Sequence, residues 1–417
     1  MTKRPVKARQ LALFRHPTEQ RPAVPRPRTP RSLRVAGLFA GIGGVELGFQ
    51  KAGHESEILC EIDAGALAVL AEHFPGIRKH EDVRTLQALP RATQVIAAGF
   101  PCQDLSQAGL TRGITGARSG LVGEVFRLAA KRTVPWLVLE NVPFMLQLAH
   151  GEALEVIVAA LEHYGYKWAY RVLDSRAFGL PQRRERVVFV ASLEEDPRDV
   201  LLTHDAGPVE SEASYPDVPC GFYWTEGTRG LGWAVDSVPT LKGGSTIGIA
   251  SPPAIIFPGG LVGTPDVRDA ERMQGFPSDW TTPALQVARP GHRWKLVGNA
   301  VTVDLFEWIG GQLAAPGSFL EPDDTLPIRP GRAWPRAGWN VGAGRFTAEI
   351  SSWPIRRRPR PLENFLSHPV NPLSAKATAG FLDRARKGSL RFPPGFLVAV
   401  EAHLHRMSRR QAVATSR

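Results

Sequence analysis

Apolar residues in the first half of the chain fall into short continuous runs, most of them closed by glycine or an acid. Leu33–Phe39, Glu57–Cys60, Val95–Ala98, Trp136–Leu139, Trp168–Leu173 and Val187–Ala191 read as buried strands. Between them, Val45–Ala52, Ala64–His73, Leu121–Arg132 and Glu152–Tyr164 read as helices. In the last of these, Leu154, Ile157, Val158 and Leu161 recur at helical spacing. Strand and helix alternating in this way predict an α/β fold with a doubly wound sheet. After Ser192 the alternation stops. To about residue 264, short β-like pieces mix with Gly, Pro and Ser, and Tyr223, Trp224 and Trp233 enter. This marks a second, smaller, irregular β-rich domain over 192–297. Asp266–Met273 and Thr302–Leu313 read as helices. Residues 1–32 are rich in Pro, Arg and Lys and have no apolar period, which predicts a disordered basic arm. Residues 316–417 form a C-terminal extension with helical pieces between 372 and 405 and no evident role.

The strand ends carry the chemistry. In a doubly wound sheet, ligands bind outside the carboxyl ends of the strands. The first strand runs into Ala40-Gly-Ile-Gly-Gly44, a turn whose glycines let a ligand approach the backbone. Its spacing is not G-x-G-x-x-G, which disfavours a nicotinamide cofactor. Glu61 closes the second strand, where an acid can accept from ribose hydroxyls or simply start a helix. Asp82 follows in a loop and reads equally as an N-cap. Cys102 sits straight after Gly-Phe-Pro at the end of the central strand, and Glu140 at the end of the next. By itself Cys102 is a small buried hydrophobe as readily as a nucleophile, and Glu140 a helix-capping acid. Gln103–Gly120, rich in Gly, Ser, Thr and Arg, reads as a mobile binding loop. Arg183, Arg184 and Arg186 stand just before a strand, suited to phosphate or base edges, or to ion pairing with Glu140 or Glu185.

Composition narrows the classes. The chain has 417 residues, 43% of them hydrophobic and 22% charged, as in a globular protein. A net charge of +11 and a pI near 9.9 suggest a polyanionic partner, although solvated tails carry part of the excess. Cys60, Cys102 and Cys220 fit neither a zinc site nor a disulfide framework, so no metal and a reducing compartment are expected. No apolar run is long enough to span a membrane. A cytoplasmic, nucleoid-associated monomer is the expectation.

Together these stretches resemble the cytosine-5 DNA methyltransferases, over about residues 35–313. Phe39-Ala-Gly-Ile-Gly-Gly44 is similar to the family's cofactor loop, Gly99-Phe-Pro-Cys-Gln103 to its nucleophile motif and Glu140-Asn-Val142 to its acid motif. Gln182-x-Arg184-x-Arg186 is similar to its arginine motif. Arg268-Asp-Ala-Glu-Arg-Met-Gln-Gly-Phe-Pro277 and Gly298-Asn-Ala-Val301 are similar to its last two, in the family's order. The resemblance implies a Rossmann-like sheet of the S-adenosylmethionine-dependent kind over 33–191, completed by 298–315, with 192–297 as target-recognition domain.

It further implies methyl transfer from S-adenosylmethionine, which leaves S-adenosylhomocysteine, to C5 of a cytosine flipped out of double-stranded DNA. Cys102 would add to C6, Glu140 would carry a proton to N3, and Arg184 or Arg186 would favour the thiolate. Phe39, Gly41 and Gly43 would line the donor site, Glu61 hold the ribose, Asp82 the adenine amine, and Ile62 and Val83 pack on the adenine. Asn299 and Val301 would close the methionine end. Gln103, Ser106 and Arg118 would touch the DNA backbone, and Lys242, Gly243 and Gly244 lie near the bases, unless they form a plain surface turn. An RNA cytosine-5 methyltransferase, such as one acting on transfer RNA, and a catalytically silent DNA-binding homologue remain open. So does a separately acting restriction endonuclease as companion.

Overall fold

The computed structural model describes residues 30–101, 120–209, 212–244, 250–329 and 331–415. Strands β1 (Arg34–Leu38), β2 (Glu55–Cys60), β3 (Arg78–His80), β4 (Val95–Gly99) and β5 (Trp136–Asn141) run parallel in the order β3-β2-β1-β4-β5. The order reverses between β1 and β4, so a crevice opens at their carboxyl ends. Further along come β6 (Lys167–Asp174), the short β7 (Gln182–Arg183) and β8 (Glu185–Ser192). β8 runs antiparallel to β5, and β6 antiparallel to β8.

Alternate residues of the central strands enter opposite layers, as the pleat requires. Ile96 and Ala98 face Leu128, Ile157 and Leu161 of the Gly120–Arg132 and Glu152–His163 helices. Val95 and Ala97 face Phe49 of the Gly44–Lys51 helix and Phe306 and Ile309 of the Val303–Ala314 helix. Strands covered on both faces can be apolar throughout, which is why they stand out as runs.

The second unit is built from much shorter pieces: β9 (Cys220–Phe222), β10 (Trp233–Val235), β11 (Val238–Pro239), β12 (Ala254–Ile256) and β13 (Val262–Thr264). β11 pairs with β7, joining the two units. Residues beyond 316 serve both. β14 (Ala337–Asn340) and β15 (Phe346–Thr347) extend the large sheet from β6. β16 (Asn371–Pro372) completes a five-stranded sheet, β10-β9-β12-β13-β16. The helices Ala375–Lys387 and Phe396–Thr415 cover that sheet, with Phe381 tilted against Phe222 and Phe396 edge-on to it. No described helix is long and apolar enough to cross a membrane.

Candidate active site

The turn after β1 folds through left-handed backbone at Phe39 (φ 57°), Gly41 (φ 55°) and Gly43 (φ 84°). Glycine adopts this region freely, whereas Phe39 is strained there. A Cβ on Gly41 would meet nothing within 4 Å, so its face is open. A Cβ on Gly43 would collide with Phe74, and one on Gly44 would meet Val301 Cγ2 at 2.8 Å. Gly43 and Val301 thus shape the turn from behind, away from the expected ligand side.

A cavity of about 960 Å³ opens in front of that turn. Phe39, Gly41, Glu61, Ile62, Asp82, Val83 and Asn299 all line it. The Glu61 carboxylate accepts from the N–H groups of Gly41 (2.8 Å), Ile62 (2.9 Å) and Asp63 (2.8 Å), tying the ends of β1 and β2 together. Ile62 is 67% exposed, so an apolar face waits uncovered at the rim. Asp82 lies in the wall with a companion the sequence did not single out. Arg84 grips it with a fork, Nε at 3.0 Å and NH2 at 2.7 Å, and this guanidinium holds the carboxyl below the usual range. Cys60 forms part of the floor. Burial pushes its thiol up to about 12, with Glu61 and Asp82 adding to the rise, so it is no nucleophile.

The other end of the same cavity belongs to β4 and β5. Glu140 stands opposite Gly99 in the parallel register, and a Cβ on Gly99 would come within 3.1 Å of Glu140 Oε2. Arg186 Nε pairs with Glu140 Oε1 at 2.8 Å. Burial lowers the Arg186 guanidinium and Glu140 opposes that shift. Asn141 has a task beyond its place in the acid motif: its Nδ2 donates to the Phe100 carbonyl at 3.0 Å and its Oδ1 accepts from Val142 N–H at 2.8 Å. It therefore fixes the Gly99-Phe-Pro101 exit. Cys102, Gln103, Ser106 and Arg118 lie outside the described residues, whose flanks Pro101 and Gly120 are both in the cavity wall.

Arg184 does not join Arg186. Its guanidinium is fully buried and donates to the carbonyls of Leu241 (3.0 Å), Gly298 (3.4 Å) and Ala300 (2.5 Å). Burial drives its pKa well down, with repulsion from Arg186 second. Arg184 is a brace between the two units, its guanidinium taken up by these carbonyls, while Arg186 pairs with Glu140. Gln182 and Gln274 extend the brace: Gln182 bonds Met273 O and Leu241 N–H, and Gln274 donates to Val297 O. Both glutamines sit in motifs noted above, but only burial reveals what they hold.

Lys242 and Gly243 pack on the cavity's outer wall. A Cβ on Gly243 would collide with Asn299, and one on Gly298 with the Lys242 carbonyl. Lys242 Nζ lies 4.0 Å from the Tyr223 ring centroid and 3.2 Å from Glu226, so it is engaged rather than loose. Gly244 (φ 123°) ends this stretch, and 245–249 lie outside the described residues. Among the described residues, no cluster of three or more His, Cys, Asp or Glu could hold a metal ion.

Comparison with known proteins bears on the same residues. The family model for C-5 cytosine-specific DNA methylase matches residues 33–217. The Type II methyltransferase M2.BsuMI of Bacillus subtilis is 46% identical over 368 residues, covering 85% of this chain and 94% of that protein. The Type II methyltransferase M.MspI of Moraxella sp is 28% identical over 332 residues, covering 74% and 75%. Among solved structures, the S. pombe Dnmt2 methyltransferase aligns over 67% of this chain and 98% of its own, with 17% identity and a TM-score of 0.49.

Proposed function

The chain belongs to the C-5 cytosine-specific DNA methylase family and is a DNA cytosine-5 methyltransferase, and from that premise we propose how its residues divide the work. One observation carries the reading: a single cavity is walled at one end by the glycine turn and Glu61, and at the other by the Glu140–Arg186 pair. The open face of Gly41 and the acid at the end of β2 fit an adenosyl group. Bound there, S-adenosylmethionine supplies the methyl group that C5 accepts. Glu61 holds the ribose, Ile62 and Val83 flank the adenine, and Asn299 closes the methionine end. Asp82 reaches the adenine amine while sharing its carboxylate with Arg84. Gly43 and Val301 act by holding the turn.

On the base side, the target cytosine is turned out of the stack, because a paired ring offers its C6 face to nothing. The Cys102 thiolate forms a bond to C6, and the C5–C6 electron pair moves onto C5 as N3 takes a hydrogen bond from Glu140. Once C5 carries the methyl group, a base takes the C5 proton and sulfur departs with the C6–S bonding pair, which restores the ring. Arg186 keeps Glu140 Oε1, leaving Oε2 beside Gly99 for the base. Residues 33–191 with 298–315 form the catalytic unit, and 192–297 reads sequence in the major groove. Gln103, Ser106, Arg118, Lys242, Gly243 and Gly244 belong to the DNA side. The finer reading has a monomer acting at the nucleoid, with any restriction endonuclease separate.

The test is incubation with labelled methyl donor and either duplex DNA or transfer RNA, followed by bisulfite sequencing of DNA from expressing cells. Label in DNA, mapped to one sequence context and abolished by Cys102→Ser, is expected. Label only in RNA would overturn the reading, and Cys102→Ser with unchanged incorporation would remove the nucleophile.

A further inference from the structure

A second cavity, of about 710 Å³, lies where the catalytic unit meets the small sheet and the C-terminal extension. Among the described residues, its wall includes Arg176, Arg183, Trp233, Leu390 and Arg391, and no acid. Asp174 already holds Arg176 at 2.7 Å. The other two guanidinium groups make no hydrogen bond or ion pair among the described residues. Their backbones, by contrast, are pinned. Thr240 Oγ1 donates to the Arg183 carbonyl at 2.8 Å, and Trp233 Nε1 to the Arg391 carbonyl at 3.0 Å. The turn that delivers Arg391 is seated by Gly388, where a Cβ would meet Leu231 Cδ1 at 3.1 Å and Thr228 O at 3.2 Å. Two exposed guanidinium groups on fixed backbones line one space, and among the described residues no acid lines it with them, a setting that suits an anion able to take both forks.

The position says which anion. Arg183 lies three residues before Arg186, which pairs with Glu140 in the first cavity. On the opposite wall, a Cβ on Gly232 would touch the Tyr223 ring at 3.3 Å. That ring carries Lys242, which packs on Gly298 of the first cavity. The second cavity is thus linked to the base pocket through a short chain of packed residues. We propose that it binds the phosphodiester backbone of the substrate duplex beside the flipped base, with Arg183 and Arg391 as the phosphate ligands. This rests on the DNA reading above and assigns the C-terminal extension a direct share in substrate binding. Guanidinium forks match phosphate oxygens, and such contacts set the protein's register on the duplex without reading sequence.

The experiment uses the full chain and a labelled duplex containing the site that bisulfite sequencing finds. Duplex affinity is measured by anisotropy over a range of salt, for wild type, Arg391→Ala, Arg391→Lys and the Arg183→Ala/Arg391→Ala double variant. Losing two phosphate contacts should weaken binding about tenfold or more at low salt and flatten the log–log salt slope by about 2. Arg391→Lys should recover part of the affinity, and S-adenosylmethionine affinity by calorimetry should not change. Unchanged affinity and slope in the double variant, with wild type still methylating the duplex, would overturn the proposal and leave the methyltransferase reading standing. Weakened binding with an unchanged salt slope would overturn it too, since lost packing does not alter counterion release. Wild type that neither binds nor methylates duplex DNA would sink both.

Discussion

The two sheets are held together in different ways. The central strands of the large sheet are five to eight residues long, covered on both faces, and neighbours in sequence are close in space. The strands of the small sheet have two or three residues, and its last strand and its cover come from beyond residue 370. A strand that short buries too little to persist alone. The small sheet therefore depends on an aromatic cap packed on Phe222, made of Phe381, Phe392 and Phe396, which the chain supplies only after residue 380. In the proposed function, donor binding sits on the long, doubly covered strands and DNA reading on the short, late-covered ones.

The largest expected effects break that contrast directly. Phe381 is fully buried, its ring 4.6 Å from that of Phe222. Phe381→Ala should cost about 3–5 kcal/mol, all within the small unit. Duplex binding should collapse while calorimetry still finds S-adenosylmethionine bound. Phe189→Ala, which removes a buried ring stacked 4.9 Å from Tyr170 in the large sheet, should cost as much and abolish both. Equal loss of donor binding in the two variants would mean that the sheets do not differ in this way.

Next comes an acid inside the large unit. Glu46 is buried under the turn, where a Cβ on Gly37 would collide with its Oε1, and its Oε2 has no hydrogen-bond partner. Burial pushes its carboxyl up from 4.5 to about 7, and nearby Glu61 adds to the rise. The folded state thus binds the proton more tightly than the unfolded chain. The stability this contributes is full below 4.5 and is lost as pH climbs through about 7. The whole change amounts to about 3 kcal/mol. Thermal melts across that window should fall for wild type and stay nearly flat for Glu46→Gln. An unaltered pH slope in the variant would assign the titration elsewhere.

The same contrast explains what could be read from the residues alone. The parallel strands, their helices and the turn at 39–44 are local patterns, and they stand within a few residues of where expected. β3, an edge strand of Arg-Lys-His, and β14, Ala-Gly-Trp-Asn, carry no apolar run, so their pairing is decided by neighbours rather than by propensity. The His292–Asn299 helix is likewise not singled out by apolar spacing. At the site, Glu140 and Arg186 were legible because strand ends announce themselves. Arg184 was not, because side chains two residues apart near a strand end need not share a destination: one faces the cavity and the other is drawn into carbonyls from residues 241, 298 and 300. Lys242 and Gly243, read as lying near the bases or as a plain surface turn, pack closely on Gly298 and Asn299, a contact that no local pattern signals.

That close approach offers a smaller perturbation. At Gly298 a Cβ would run into the Lys242 carbonyl and the Gly243 amide, both backbone, so one unit must shift. Gly298→Ala should cost about 1–3 kcal/mol by overpacking. Because Gly298 and Asn299 line the donor cavity, affinity for S-adenosylmethionine should drop alongside duplex affinity. Here, unlike in Phe381→Ala, the two readouts should fall together, since the join rather than either sheet is altered. A variant that keeps donor affinity and loses only DNA would place the strain wholly in the small unit.

The smallest effect comes from the staple on the far side of the donor cavity. Asp63 caps the Ala64–His73 helix, accepting from Gly65 and Ala66 N–H, and is held across the cavity mouth by His292 Nε2 at 2.8 Å and Lys295 Nζ at 3.1 Å. Burial alone would raise its carboxyl, but the hydrogen bonds from His292, Lys295 and Ala66 N–H hold it at about 2. The folded value is below the unfolded one, so its contribution is present above 3.8 and is lost as pH falls through about 2. The site is partly open to solvent, and screening reduces the net gain to about 1 kcal/mol. His292→Ala should therefore lower stability in urea titrations by about that amount near neutral pH, and the difference should vanish in acid. Helix 292–299 ends in Gly298 and Asn299, which meet Lys242 and Gly243, so loosening its start should weaken donor binding by a few-fold at most, well short of Gly298→Ala. A His292→Ala loss as large as that of Gly298→Ala would mean that the cavity is held chiefly at its mouth rather than at the seam between the sheets.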